Sequence, residues 1–210
     1  MKLCPKFIEK IFPKYSWFPL AGIVTLQVLS YAGTSLLAHN WKHYMPALKV
    51  DEYIPFIPVF IIPYVACYAY WVINFLLSVQ TGEKRFSRFA LAVMLSQVMC
   101  GIIFLLFPTT ISRPDVSMYQ GVTGFLLKAI YGIDAPVNLF PSMHCLLSWF
   151  SWIAVRDVQC MPKWYQIFSF IFAIVVCIST VTVKQHFFID IIGGVALAEI
   201  CWQLVKPKNN

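Results

Sequence analysis

Long apolar stretches separated by short polar segments account for most of the chain. A helix needs about 20 apolar residues to cross the hydrocarbon core of a bilayer, and inside that core it satisfies its own backbone hydrogen bonds. We therefore predict an all-α, integral membrane bundle of six transmembrane helices. The predicted spans are residues 17–38, 55–78, 89–107, 142–155, 165–183 and 186–205.

The fourth predicted span, residues 142–155, is shorter than the others and begins with polar residues. Its polar head must lie inside the protein or in a water-filled cavity, because lipid offers no hydrogen-bonding partner. The longest connection, residues 108–141, comes directly before this span. Within it, residues 125–131 are predicted to form a short helix at the membrane surface.

The first residues of the chain, 1–16, contain four lysines and one acidic residue. We interpret them as a cytoplasmic or interfacial segment. A cleaved signal peptide is the competing interpretation, but the apolar run that follows is too long for a signal core. The predicted spans leave no room for a separate soluble domain, so we expect residues 1–210 to form a single membrane domain.

Composition and charge agree with this interpretation. The chain has 210 residues, 60% of them hydrophobic and 12% charged, with a mean hydropathy of +0.72, whereas soluble domains are about a quarter charged. Eleven of the sixteen Lys and Arg residues lie on one side of the predicted bundle, which predicts that both termini are cytoplasmic. This distribution explains the net charge of +7 without a nucleic acid partner. Seven scattered cysteines with no C-x-x-C pair predict neither a metal site nor a disulfide framework.

Three ionisable residues stand at the head of the last apolar run: Lys184, His186 and Asp190. On a helix, His186 and Asp190 lie on the same face because they are four residues apart. A carboxylate there can hold one ring nitrogen of the imidazole and leave the other for chemistry. Ionisable groups at membrane depth are costly and are therefore candidates for function. The alternative is a buried His–Asp pair that only joins helices.

A second polar segment precedes the fourth span. Pro141 and Ser142 favour a helix start, with Ser142 as its cap, and the N-terminus of a helix attracts anions. His144 follows in the first turn. Arg113 can donate two hydrogen bonds to a phosphate group, and Lys184 can add a positive charge. All these residues lie at the outer ends of predicted spans, and together they suit phosphoryl transfer.

These residues resemble the motifs of the type 2 phosphatidic acid phosphatase superfamily, which includes vanadium haloperoxidases and sphingolipid head-group transferases. Its motif Pro-Ser-x-His is present as residues 141–144. Its motif Ser-Arg-x5-His-x3-Asp is present as Ser179, Thr180, His186 and Asp190. Its motif Lys-x6-Arg-Pro is reduced to Arg113 and Pro114. The resemblance covers about residues 100–200.

The resemblance implies a catalytic role for three residues. His186 is the expected nucleophile, which attacks phosphorus and forms a phosphohistidine. Asp190 is expected to orient His186. His144 is expected to protonate the leaving oxygen and then to take a proton from the incoming water or alcohol.

The resemblance also implies a phosphate-binding set without a metal or other cofactor. We expect the phosphate oxygens to contact Arg113, Ser142 and the backbone around Met143. Leu106 and Thr180 stand where the family has two phosphate-binding cations. We hypothesise that Lys184 replaces them.

Three functions remain open at this stage. The first is a membrane lipid phosphatase of the bacterial plasma membrane, whose site faces the extracytoplasmic side and whose partners are a lipid phosphate substrate and membrane lipids. The loss of both cations also resembles the sphingomyelin and inositol phosphorylceramide synthase branch, so the second is a phosphotransferase that passes a phospholipid head group to another lipid. The third is a non-catalytic transporter or scaffold. The oligomeric state is left open.

Overall fold

The computed structural model describes residues 13–206, and within them the chain forms helices joined by irregular segments. These residues contain no β-strand, only isolated bridges between Tyr44 and Thr109 and between Thr110 and Val137. The prediction of an all-α fold is confirmed for this range, whereas most of the segment predicted at residues 1–16 lies outside it. The helices are α1 Lys14–Leu37, α2 Lys49–Tyr53, α3 Pro58–Val79, α4 Glu83–Leu106, α5 Gly121–Ile133, α6 Met143–Val155, α7 Lys163–Thr182 and α8 Phe188–Leu204.

Four of these helices are long and apolar enough to cross a membrane, namely α1, α3, α4 and α7. Helix α6 has 13 residues and α8 has 17, less than the length of about 20 residues that a span usually needs. The six-span count and the cytoplasmic position of both termini therefore stay predictions.

Helix α4 begins six residues before its predicted start at residue 89. The basic residues before the predicted span lie in the first two turns of the helix, which begins after Gly82 with its φ of 98°. Glu83 in the first turn suits the positive end of the helix dipole. Arg85 donates hydrogen bonds to the carbonyl groups of Ile153 and Arg156, at distances of 3.3 and 2.8 Å, at the far end of α6. An apolar run therefore marks only the lipid-embedded part of this helix.

Helix α6 is the centre of the bundle. It packs against α3, α4, α7 and α8, and ten of its thirteen residues are buried. Protein rather than lipid surrounds it on most sides, so it does not need the length of a lipid-exposed span. This explains why the fourth apolar run is shorter than the others.

Two adjacent glycines allow α8 to approach the beginning of α6 closely. A Cβ atom on Gly194 would lie 2.5 Å from the carbonyl oxygen of Ser142 and 3.1 Å from Cβ of Cys145. A Cβ atom on Gly193 would lie 2.6 Å from the ring of Phe140. Such close approach is typical of small residues in membrane helix pairs.

The variant Gly194→Ala is expected to unfold at a lower temperature in detergent than the wild type. The added methyl group forces α8 away from Ser142, and overpacking of this kind costs about 1–3 kcal/mol. Gly132→Ala in the exposed part of α5 is the matched control, because a Cβ there meets no atom within 4 Å. Equal melting temperatures of the two variants would contradict the close packing of α8 on α6.

Candidate active site

A cavity of about 190 Å³ lies among α1, α3, α6, the connections on either side of α5 and the segment that follows α7. It has room for a phosphate-sized group. Four of the seven residues predicted to form the site line this cavity: Arg113, Met143, His144 and His186. Ser142 and Asp190 lie directly behind them and are fully buried.

The two predicted catalytic histidines face the same cavity from different parts of the chain. His144 lies in the first turn of α6, and His186 lies in the short segment between α7 and α8. Their ring centroids are 5.9 Å apart, with the ring planes tilted by 59°. The segment that carries His186 is held by the carbonyl group of Thr180, which accepts the backbone N–H groups of Gln185 and His186 at 2.9 and 3.1 Å.

His186 and Asp190 form the predicted pair, but not on one helix. Helix α8 begins at Phe188, so His186 precedes it and Asp190 lies in its first turn. Nδ1 of His186 lies 3.2 Å from Oδ2 of Asp190, and this oxygen also accepts the backbone N–H of Phe187 at 2.8 Å. The carboxylate therefore caps α8 and holds the imidazole through Nδ1, so that Nε2 remains for a substrate.

Ser142 caps α6 as predicted and links the two histidine segments. Its Oγ accepts the backbone N–H of Cys145 at 3.3 Å, while its own backbone N–H donates to the carbonyl group of Asp190 at 3.1 Å. Met143 and His144, the first two helical residues, have backbone N–H groups without an acceptor inside the helix. The N-terminus of α6, with its partial positive charge, thus lies at the cavity.

Arg113 lines the cavity with its guanidinium group fixed on several sides. Nη1 donates to the carbonyl oxygen of Asp134 at 2.6 Å, and Nη2 donates to Oε1 of Gln185. The group also lies over the ring of Tyr131, 4.9 Å from its centroid. Nε is buried and has no hydrogen-bond partner in residues 13–206. A buried donor without a partner is costly, so this N–H still lacks an acceptor.

Lys184 is the predicted binding residue that the structure does not bring to this cavity. Its Nζ donates to the carbonyl group of Ile54 at 2.6 Å, and it lines a neighbouring cavity of about 460 Å³ together with Asp51 and His186. The hypothesis that Lys184 replaces the missing cations therefore stays a prediction, and any contact with phosphate would have to come from the side of this neighbouring cavity. Arg113 is the single Lys or Arg among the described residues that line the cavity between the histidines.

Three residues at the cavity were missed by reasoning from the sequence: Tyr64, Tyr68 and Asp134. The ring of Tyr64 stacks on that of His144 at a centroid distance of 4.4 Å, and Oη of Tyr68 lies 3.3 Å from Nε2 of His144. Asp134 accepts the hydroxyl group of Tyr64. The two tyrosines are four residues apart, which places them on one face of a helix, and this was the available signal.

Comparison with known proteins gives one match. The sequence model of the PAP2 superfamily matches residues 48–204. This range contains every predicted site residue and leaves out α1. No curated protein and no solved structure matches the chain.

Proposed function

Because the chain belongs to the PAP2 superfamily, we propose that it is a membrane lipid phosphatase acting through a phosphohistidine. PAP2 proteins are in general phosphatases and phosphotransferases of phosphoric esters. The observation that carries the proposal is the pair of imidazoles, His144 and His186, on one cavity with ring centroids 5.9 Å apart.

The proposed first step transfers the phosphoryl group to His186. The lone pair on Nε2 attacks phosphorus, the bond from phosphorus to the leaving oxygen breaks, and His144 gives its proton to that oxygen. Phosphoryl transfer needs the attacking and leaving atoms roughly in line. The phosphorus and the leaving oxygen must therefore both lie between the two imidazoles, and the cavity that both rings line is the place for them.

The second step releases phosphate. Water takes the place of the departed alcohol. Its oxygen bonds to phosphorus while His144 accepts its proton, and the bond between Nε2 and phosphorus breaks. Arg113 and the N-terminus of α6 stabilise the charge on the phosphate oxygens in both steps, while Asp190 stabilises the charge on His186.

The proposed substrate is an amphiphile with a phosphomonoester or pyrophosphate head group, such as phosphatidate, phosphatidylglycerol phosphate or a polyprenyl diphosphate. The apolar, lipid-compatible helices around the cavity support this class. The distribution of Lys and Arg supports a site on the extracytoplasmic side of a plasma membrane, and a bacterial membrane remains part of the proposal.

Purified protein in detergent is expected to release phosphate from at least one of these lipids, with inhibition by vanadate, a mimic of five-coordinate phosphorus. Phosphate release is measured colorimetrically with each lipid in turn. No release from any of them, together with no binding of vanadate, would contradict the enzyme and favour the transporter or scaffold.

The small number of Lys and Arg residues at the site favours the phosphotransferase as a second candidate. Leu106, at the position of the family's lysine, is 79% exposed at the end of α4, and Thr180 is fully buried. By the resemblance described above, this loss is shared with the sphingolipid head-group transferases. An assay with a labelled phospholipid donor and either diacylglycerol or ceramide separates the two functions, since a transferase makes a new labelled lipid and a phosphatase does not.

A further inference from the structure

A carboxylate, Asp134, lies in the wall of the proposed phosphate cavity. A negative charge there repels the phosphate group of a substrate. A carboxylate at this position therefore needs a function that outweighs the repulsion. Both of its oxygens accept tyrosine hydroxyl groups: Oδ1 accepts that of Tyr31, and Oδ2 accepts that of Tyr64 at 3.3 Å. These two hydrogen bonds hold the carboxylate in place.

The hydroxyl group of Tyr64 connects this carboxylate to His144. Tyr64 is fully buried, and its oxygen lies 3.5 Å from Nδ1 of His144. Since the single hydroxyl proton points to Asp134, the oxygen faces Nδ1 as an acceptor. This arrangement keeps a proton on Nδ1. Nε2, which lies 3.3 Å from Oη of the cavity residue Tyr68, is then the nitrogen that exchanges a proton with the substrate.

The two imidazoles are then held in the same way. Asp190 contacts Nδ1 of His186 directly, and Asp134 acts on Nδ1 of His144 through Tyr64. In each case a carboxylate fixes which ring nitrogen faces the cavity. For His144 the charged form is the acid needed when the leaving oxygen departs.

We propose that Asp134 and Tyr64 are positioning residues that keep His144 competent as the general acid. The inference rests on the proposed phosphatase function. His144 gives the proton on Nε2 to the leaving oxygen, while the protons on Nδ1 and on Tyr64 stay in place.

The test compares two phosphomonoesters whose leaving groups differ in their need for a proton. The alcohol of dodecyl phosphate must be protonated as it departs, whereas p-nitrophenolate departs without a proton. The variant Tyr64→Phe is expected to lower kcat/KM at least about tenfold for dodecyl phosphate, since general acid catalysis contributes typically about 10²–10⁴-fold. For p-nitrophenyl phosphate the expected change is within about twofold. Asp134→Asn is expected to show the same difference between the substrates.

Tyr70→Phe is the matched control, because Tyr70 lies on the same helix and its buried hydroxyl group contacts Ser169, away from the cavity. It reproduces the loss of a buried hydroxyl group and is expected to change neither value of kcat/KM by more than about twofold.

If Tyr64→Phe lowered kcat/KM equally for both substrates, the residue would be only structural. If it lowered kcat/KM for neither, the residue would not be needed. Each of these results overturns the inference. The same assay also tests the proposed phosphatase function. That function is supported if the wild type is active and His186→Ala is not. A wild type inert toward both substrates would overturn that function and this inference with it.

Discussion

Replacement of His186 by alanine is expected to reduce phosphate release from the lipid substrate by about 10⁴-fold or more. The variant has no atom that can attack phosphorus, and the loss of a nucleophile removes the covalent route entirely. Binding should survive, because Arg113 and the N-terminus of α6 are untouched. The measurement is initial-rate phosphate release in detergent, with binding of the lipid substrate determined on the same preparation.

His39→Ala is the matched control for His186→Ala. His39 is an exposed histidine beyond the end of α1 and is not part of the cavity lining, so its removal should leave the rate within about twofold. If His186→Ala were as active as His39→Ala, the phosphohistidine route would be refuted.

Replacement of Arg113 by alanine is expected to lower kcat/KM by about 10²–10³-fold, the usual effect of losing one preorganised donor to a developing anion. The effect should be large here because no second Lys or Arg of residues 13–206 lines the cavity. Arg113→Lys should recover only part of the activity, since an ammonium group cannot replace the planar fork that contacts Gln185 and a backbone carbonyl group. Vanadate affinity should fall in the same order.

Lys128→Ala serves as the charge control for Arg113→Ala. Lys128 is an exposed cation on α5, so this variant has the same net charge as Arg113→Ala and an intact cavity. Similar losses in both variants would mean that overall charge, and not a contact with phosphate, determines activity.

The helices could be predicted from the sequence where hydrophobicity alone defines them. The apolar runs give α1, α3, α6, α7 and α8 to within a few residues, because a lipid-facing or enclosed helix must be apolar over its length. The beginning of α4 was missed because its charged residues lie before the apolar run that defined the predicted span. Helix α2 was missed because five residues, Lys49–Tyr53, are too few for a periodic pattern.

Those parts of the site that lie within one short segment of the chain could be predicted from the sequence. Ser142 and His144 follow from the local pattern of a capped helix, and the spacing of His186 and Asp190 predicts their contact even though His186 lies outside α8. Contacts between distant segments could not be predicted. Tyr64 and His144 are 80 positions apart in sequence, and only the packing of α3 against α6 brings them together.

Lys184 is a residue whose place in the structure could not be predicted from its position in the sequence. Its position two residues before His186 predicted a place in the phosphate site, but its φ of 52° and its hydrogen bond to Ile54 direct it to the neighbouring cavity. When the backbone between two helices turns, two residues that are close in sequence can point their side chains into different cavities.

The most direct test of the two-histidine mechanism is to locate phosphorus on the protein during turnover. In His144→Ala supplied with p-nitrophenyl phosphate, formation of the phosphoenzyme needs no acid while its hydrolysis loses its base, so the intermediate should accumulate. The protein is denatured at alkaline pH, which preserves a phosphohistidine, and its peptides are analysed by mass spectrometry. The account predicts phosphate on His186, whereas phosphate on another residue, or none on any peptide during active turnover, would contradict it.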